Sequence, residues 1–80
     1  MSNWPKDKQG RLFKEFKFKN YRQSFAFTCE VAMLAERKNH HPSVTLDYGN
    51  VSISIISHDV NEVTERDLDL AAQIDRIYKG

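Results

Sequence analysis

The sequence contains a single cysteine among its 80 residues, Cys29, so it cannot form a disulfide within the chain. Small domains that depend on disulfides carry several cysteines, and that means of stabilisation is therefore excluded. Cys29 falls within an apolar helical pattern. This predicts a reduced residue of the core and an intracellular protein.

Long apolar stretches are also missing from the sequence. No run approaches the roughly 20 residues that a membrane-spanning helix needs, and the opening MSNWPKDKQG lacks the apolar block of a signal peptide. We therefore expect a cytoplasmic protein with no membrane partner. Because so short a chain buries only about 60% of its unfolded surface, we expect it to form a homo-oligomer, a dimer or a tetramer.

The charge of the chain is nearly balanced but unevenly distributed. Residues 1–40 carry nine Lys or Arg and four Asp or Glu, whereas residues 41–80 carry three and seven. A basic half could attract nucleic acid. Its lysines Lys14, Lys17 and Lys19, however, are interleaved with apolar residues, as on the solvated face of a strand. We therefore expect no nucleic-acid partner.

Hydrophobic periodicity predicts one α+β domain over residues 1–80. Alternation predicts a strand in RLFKEFKF, two more in SVTLDY and VSISIIS, and a short fourth one near Trp4. Helical periodicity predicts one helix from Asn20 to about Lys38 and another that begins at Thr64, and both starts carry capping residues. The order of these elements predicts an antiparallel sheet of about four strands with two α-helices packed on one face.

The two later strands predict a hairpin with a defined register. Gly49 and Asn50 both tolerate positive φ and suit a two-residue turn. With that turn, Leu46 faces Ile53, and the apolar residues of both strands share one face. A one-residue slip would move them to opposite faces, so the pattern supports this register.

The register brings the histidines of the chain together. The sequence has three: His40, His41 and His58. One step past Pro42, the predicted ladder places His41 opposite His58, and directly paired residues have Cβ atoms about 4.5–5.5 Å apart. We therefore predict a histidine cluster on the sheet face that the helices do not cover.

Two carboxylates are predicted to join this cluster. Glu36 precedes His40 by four residues near the end of the first helix, where it could orient the imidazole or exchange a proton with it. Asp67 lies in the first turn of the last helix and could position His58. Imidazoles with carboxylate partners are typical of acid/base catalysis near neutral pH.

Three other interpretations of these residues compete with an acid/base site. The histidines could be ordinary surface residues. Three histidines could also bind zinc, but His40 and His41 point in opposite directions in an extended segment. A serine nucleophile at Ser43 or Ser57 lacks the sharp turn that would expose it. The acid/base interpretation fits the pattern best.

The spacing of these residues resembles the pterin-4a-carbinolamine dehydratase family. The flanking segments FKFKNYRQSFAF and VTERDLDLAAQI resemble it as well, so the likeness covers about residues 4–78. The chain departs from the family at Val44, where many members have tryptophan. It also lacks an extra N-terminal helix that many members carry, and this second departure favours a dimer over a tetramer. The residues that carry the resemblance are Glu36, His40, His41, Pro42, Tyr48, His58 and Asp67.

The resemblance implies a hydro-lyase that removes water from 4a-hydroxytetrahydropterin and yields quinonoid dihydropterin, in the recycling of the tetrahydropterin cofactor. It implies that His40 and His58 are the acid/base pair and that Glu36 assists proton transfer. No metal and no organic cofactor would be needed. The residues implied to bind the substrate are His41, Pro42, Ser57 and Asp67.

The resemblance leaves two other functions open. Mammalian members of this family also serve as dimerisation cofactors of a homeodomain transcription factor, so the chain could be a protein-binding module. It could also be a pterin-binding protein of molybdopterin-related metabolism.

Overall fold

The computed structural model describes residues 4–78, which form an α+β fold as predicted. The segment near Trp4 contributes only an isolated bridge between Lys6 and Leu12, so the sheet has three strands rather than about four. No helix in this part of the chain is long and apolar enough to cross a membrane. The elements are β1 (Leu12–Lys17), α1 (Tyr21–Lys38), β2 (Ser43–Asp47), β3 (Asn50–Ile55) and α2 (Glu65–Ile77).

Strand β3 lies at the centre of the sheet, and both of its neighbours are antiparallel to it, in the order β1-β3-β2. Alternate residues of β1 and β3 point to one face, where Phe16 and Ile53 are among the fully buried side chains. Val31 of α1 and Ile74 of α2 belong to the same buried cluster, so both helices pack on this face. The predicted one-sided packing is therefore confirmed.

Helix α1 begins and ends at asparagines that satisfy its free backbone groups. The Asn20 side chain accepts a hydrogen bond from the Gln23 N–H at 2.9 Å, which confirms the predicted start. Asn39 adopts the left-handed conformation, with φ of 52°, and its N–H reaches the Ala35 and Glu36 carbonyls. The helix therefore stops before Pro42 has any effect on it.

The helix α1 buries a narrower face than its sequence suggests. Phe27 and Val31 enter the core, but Phe25 is 53% exposed. Cys29 is exposed as well, so the prediction that it belongs to the core was wrong. A helix that packs on one sheet can bury only one side, and Cys29 lies on the other side.

The predicted hairpin register was wrong by two positions. Leu46 pairs with Val51 rather than Ile53, because the turn consists of Tyr48 and Gly49. Neither turn residue has positive φ, the property on which the prediction depended. The apolar residues still share one face, because a shift by two preserves the alternation of side chains.

Close packing is the reason for glycine in this turn. A Cβ atom on Gly49 would lie 2.9 Å from the Phe18 carbonyl oxygen, and the Phe18 N–H donates to the Gly49 carbonyl at 2.9 Å. A backbone carbonyl held in this way cannot move aside as a flexible side chain could.

We expect Gly49→Ala to destabilise the fold by about 1–3 kcal/mol, the usual cost of an overpacked contact. Tyr48→Ala is the matched control in the same turn, because the Tyr48 side chain is 69% exposed, and it should stay within about 0.5 kcal/mol of wild type. Urea unfolding of both variants measures the difference. Equal stabilities would show that the turn can relax around a methyl group.

Candidate active site

The end of α1 presents His40 at the junction with α2. The chain turns at Asn39, and the His40 N–H donates to the Ala35 carbonyl at 3.1 Å, so the backbone of His40 is fixed to the last helical turn. The side chain then points toward α2 and is only 12% exposed. A helix cap thus determines the position of this imidazole.

His40 is paired with the carboxylate of Asp67. Its Nε2 atom lies 2.5 Å from Oδ1 of Asp67, whose side chain has no exposed surface. The second carboxylate oxygen, Oδ2, accepts hydrogen bonds from the Thr64 N–H and from the Ser57 hydroxyl, each at 2.7 Å. The Thr64 hydroxyl makes a longer contact with Oδ2 at 3.4 Å, so four donors surround one buried carboxylate, as expected when it is ionised.

The environment of Asp67 lowers its pKa. Burial alone would raise the pKa, but the hydrogen bonds from Thr64, His40 and Ser57 outweigh burial and hold the pKa below the ordinary value of 3.8. Asp67 is therefore ionised at neutral pH and can only accept hydrogen bonds. The proton between it and His40 consequently belongs to Nε2 of the imidazole.

Asp67 also helps to cap the start of helix α2. It is the third helical residue after Thr64, and its acceptance of the Thr64 N–H completes the predicted capping arrangement. Sequence reasoning found this cap but missed Thr64 as part of the site. A capping carboxylate has a second oxygen that can accept a hydrogen bond from another residue, and this could have indicated that the cap belongs to the site.

Ser57 lies beneath the His40–Asp67 pair. Its side chain is fully buried, and its hydroxyl lies 2.8 Å from the Thr64 hydroxyl. The Ser57 hydroxyl donates to Oδ2 of Asp67, and the Thr64 hydroxyl reaches the same oxygen at 3.4 Å. Ser57 and Asp67 thus lie beneath His40 and expose no surface of their own.

Glu36 is paired with His41 rather than with His40. The Nε2 atom of His41 lies 2.6 Å from Oε2 of Glu36, and the side chains are 56% and 77% exposed. The prediction that Glu36 orients His40 was therefore wrong, because the turn at Asn39 removes His40 from the helical position four residues after Glu36. Pro42 follows His41, is half-buried, and leads into β2.

His58 occupies a tight loop next to the buried network. It directly follows Ser57, and backbone hydrogen bonds between Ser57 and Glu62 close the loop around an Asn61 with φ of 55°. The salt bridge between Asp59 and Arg66, at 2.7 Å, fastens this loop to α2. The His58 side chain is exposed.

The predicted pairing of His41 with His58 across the hairpin was wrong. The β2–β3 ladder ends where Ser43 meets Ser54, and two further steps would bring His41 opposite Ile56 rather than His58. Asp67, expected to position His58, contacts His40 instead. Ser57, the neighbour of His58 in the chain, donates a hydrogen bond to Asp67, and Asp67 is paired with His40. His58 is thus linked to His40 through hydrogen bonds and not through the pairing of strands.

The carboxylates and imidazoles of the candidate site form pairs rather than a larger cluster. Across residues 4–78, His, Cys, Asp and Glu form no group of three or more that could hold a metal ion. His40 and His41 each face a different carboxylate. The arrangement is that of two separate carboxylate–imidazole pairs, one buried and one exposed.

Known proteins resemble this chain in sequence and in fold. The family model described as Pterin 4 alpha carbinolamine dehydratase matches residues 1–77. A protein of Prochlorococcus marinus with the provisional name pterin-4-alpha-carbinolamine dehydratase is 41% identical over 70 residues, 88% of this chain and 73% of that protein. One of Alkaliphilus metalliredigens, with the same provisional name, is 34% identical over 91% of this chain and 66% of its own length.

Two solved structures share the fold. A Brucella melitensis protein titled transcriptional coactivator/pterin dehydratase superposes with a TM-score of 0.89 at 32% identity, over 95% of this chain and 82% of its own. A pterin dehydratase-like protein titled a RuBisCO assembly factor in the alpha-carboxysome superposes with a TM-score of 0.80 at 27% identity, over 95% and 89%.

Proposed function

The chain belongs to the pterin 4 alpha carbinolamine dehydratase family, and we propose that it dehydrates 4a-hydroxytetrahydropterin to quinonoid dihydropterin by histidine acid/base catalysis. A reductase would then convert the quinonoid dihydropterin back to the tetrahydropterin cofactor. The dehydration needs one group that protonates the departing hydroxyl and one that accepts the proton of a ring N–H. The proton given and the proton taken balance, and the other product is water.

The buried His40–Asp67 pair is the observation that carries this proposal. Because ionised Asp67 holds Nε2–H of His40, neutral His40 has its lone pair on Nδ1. Nδ1 makes no hydrogen bond within residues 4–78 and is not among the buried unpaired atoms there, so it reaches the surface. His40 can thus accept a proton at Nδ1 and return it, while Asp67 stabilises the imidazolium formed in between.

The exposed side chains of Glu36, His41 and His58 suit a pterin that carries several polar ring atoms. His41 and Glu36 would bind and orient it, with Glu36 assisting proton transfer, and His58 would be the second acid/base group. Pro42 would border the ring. Neither Ser57 nor Asp67 exposes a side chain, so we assign them the task of positioning His40 rather than of touching the substrate.

Stopped-flow measurement tests this proposal with freshly generated 4a-hydroxytetrahydropterin. We expect the wild-type protein to accelerate dehydration over buffer alone, and to retain its full rate after exhaustive chelation because no metal or organic cofactor is required. A rate equal to that of buffer would reject the dehydratase function. Acceleration that chelation abolishes would favour the zinc interpretation instead.

We propose that the protein forms a homo-oligomer, since α1 leaves the large apolar side chains Phe25 and Met33 mostly exposed. Its cytoplasmic location and its lack of a nucleic-acid partner stay predictions. No contact among residues 4–78 specifically favours the transcription-cofactor or molybdopterin-related alternatives over the dehydratase.

A further inference from the structure

The loop that carries His58 is a tight turn with long backbone hydrogen bonds. The Val60 N–H donates to the Ser57 carbonyl at 3.3 Å, which closes a β-turn. The two central residues of this turn are His58 and Asp59. Two more backbone hydrogen bonds join Ser57 to Glu62, at 3.2 and 3.3 Å. All three lie at or beyond the long end of the usual N–H···O range of about 2.7–3.2 Å, so the backbone alone holds the turn weakly.

The His58 side chain has no anchor of its own. It is exposed, and the hydrogen bonds and ion pairs among residues 4–78 include none from its ring. The position of the imidazole therefore depends on the backbone of the turn. An acid/base group must lie within about 2.6–3.2 Å of the atom with which it exchanges a proton. A shift of the turn by about 1 Å is thus enough to slow proton transfer.

The Asp59–Arg66 ion pair is shorter than the backbone hydrogen bonds of this turn. Nη2 of Arg66 lies 2.7 Å from Oδ1 of Asp59, at the short end of the range for a charge-assisted hydrogen bond, about 2.7–2.9 Å. The hydrogen bond from Arg66 lowers the pKa of Asp59 below its ordinary value of 3.8. Both side chains are therefore charged at neutral pH, and the pair anchors the residue that follows His58.

The first turn of α2 contacts the surroundings of both histidines. Asp67 is paired with Nε2 of His40. Its neighbour Arg66 holds the turn of His58 through Asp59. We propose that Arg66 is a positioning residue, which keeps His58 beside a pterin bound at His40. This inference rests on the proposed function, in which the two histidines are the acid/base pair.

Replacement of Arg66 by alanine supplies the first test, measured by stopped-flow at several pterin concentrations. We expect kcat to fall about fivefold, which an exposed ion pair can account for. The KM should change less than kcat, because Arg66 acts on the turn and not on the pterin. A KM that rises while kcat stays at the wild-type value would show that Arg66 binds the substrate directly, and would reject the inference.

Two further variants make this test specific. Arg66→Lys should return kcat to within about twofold of wild type, since the contact to Asp59 is a single hydrogen bond that an ammonium group can also donate. Arg76→Ala removes another exposed arginine from the last turn of the same helix and should leave both kinetic constants unchanged. An Arg76→Ala variant as slow as Arg66→Ala would show that loss of charge on α2 is responsible.

A double-mutant cycle identifies the histidine through which Arg66 acts. If Arg66 acts through His58, Arg66→Ala should cause no further loss of kcat in a His58→Ala protein. A loss that persists in that protein would show that Arg66 acts through its neighbour Asp67, and would reject the inference. Asp59→Ala should be as slow as Arg66→Ala, and the variant that lacks both side chains should be no slower than either.

The motion of the turn is a second readout, which needs no turnover. The ¹⁵N order parameter of the His58 amide should be about 0.85 in wild type and fall below about 0.6 in Arg66→Ala. Arg66→Lys and Arg76→Ala should keep the wild-type value. The urea midpoint of Arg66→Ala should stay close to that of wild type, because the ion pair is exposed. An order parameter that Arg66→Ala leaves unchanged would reject the anchoring of the turn.

The two readouts separate this inference from the proposed function. If wild type shows no turnover but Arg66→Ala loosens the turn, the anchoring by Arg66 stands and the dehydratase proposal fails. If turnover is normal and Arg66→Ala changes neither kcat nor the order parameter, the inference is wrong and the dehydratase proposal is unaffected. A loosened turn with wild-type kcat would likewise reject Arg66 as a positioning residue.

Discussion

Replacing His40 by alanine is expected to lower kcat for pterin dehydration by about 100- to 10,000-fold, the usual contribution of a positioned acid/base group. The reason is geometric. Asp67 is ionised and holds Nε2–H, so Nδ1 of His40 is free to exchange a proton with the substrate. His58→Ala should have an effect of the same order if His58 is the second acid/base group. Stopped-flow rates at saturating pterin measure both.

His41→Ala is the matched control for these variants, because it removes a neighbouring imidazole from an exposed pair. It should chiefly raise the KM and leave kcat closer to that of wild type. Circular dichroism and urea unfolding of every variant exclude loss of fold as the cause. Wild-type rates in a variant that lacks both His40 and His58 would contradict the acid/base mechanism.

Replacing Asp67 by asparagine is expected to reduce both stability and turnover, because one carboxylate serves the helix cap and the imidazole. The amide cannot accept from Thr64 N–H, Ser57 and His40 as the ionised carboxylate does. We expect a loss of about 2–4 kcal/mol in the free energy of unfolding, since a cap and buried hydrogen bonds are disrupted together. Turnover should fall because the His40 tautomer is no longer fixed.

The effect on stability should depend on pH in a defined direction. The folded-state pKa of Asp67 lies below its ordinary value of 3.8, so the carboxylate stabilises the fold fully above that value. The stabilisation is lost as pH falls through the folded-state pKa. The difference in unfolding free energy between wild type and Asp67→Asn should therefore be constant near neutral pH and shrink in acid.

Asp69→Asn is the control for Asp67→Asn on the same helix. Asp69 is 56% exposed and bridges Lys38 at 3.0 Å, and such a surface pair contributes only about 0–1 kcal/mol. Its removal should therefore change stability little and leave turnover unchanged. An Asp69→Asn variant as damaged as Asp67→Asn would show that general charge loss on α2, rather than the buried carboxylate, is responsible.

Local signals in the sequence predicted the fold class and the starts of both helices. Asn20 and Thr64 start helices because their neighbours three residues on complete the caps, and this chemistry needs only adjacent residues. The alternation of apolar residues in β2 and β3 likewise predicted which face is buried. That prediction was correct although the register was wrong, because a shift by two positions leaves each side chain on the same face of the sheet.

The residues of the candidate site could be named from the sequence, but not their pairing. Glu36 and His40 have the spacing of helical neighbours, yet Asn39 turns the chain before His40 and leaves Glu36 to His41. Asp67 meets His40 only because α1 and α2 pack on the same sheet face. The burial of Cys29 was mispredicted for a related reason, because a helix pattern does not reveal which side the sheet will cover.

The sequence by itself thus determined the α+β class, the caps and the set of ionisable residues, since each follows from residue type and short-range spacing. Its resemblance to known sequences indicated the family. The tertiary structure decided which carboxylate holds which imidazole, and that Ser57 and Asp67 are buried supports rather than surface groups. Those choices depend on distances between segments that are far apart along the chain. Such distances arise only when both helices are packed on the sheet and the backbone has turned at Asn39.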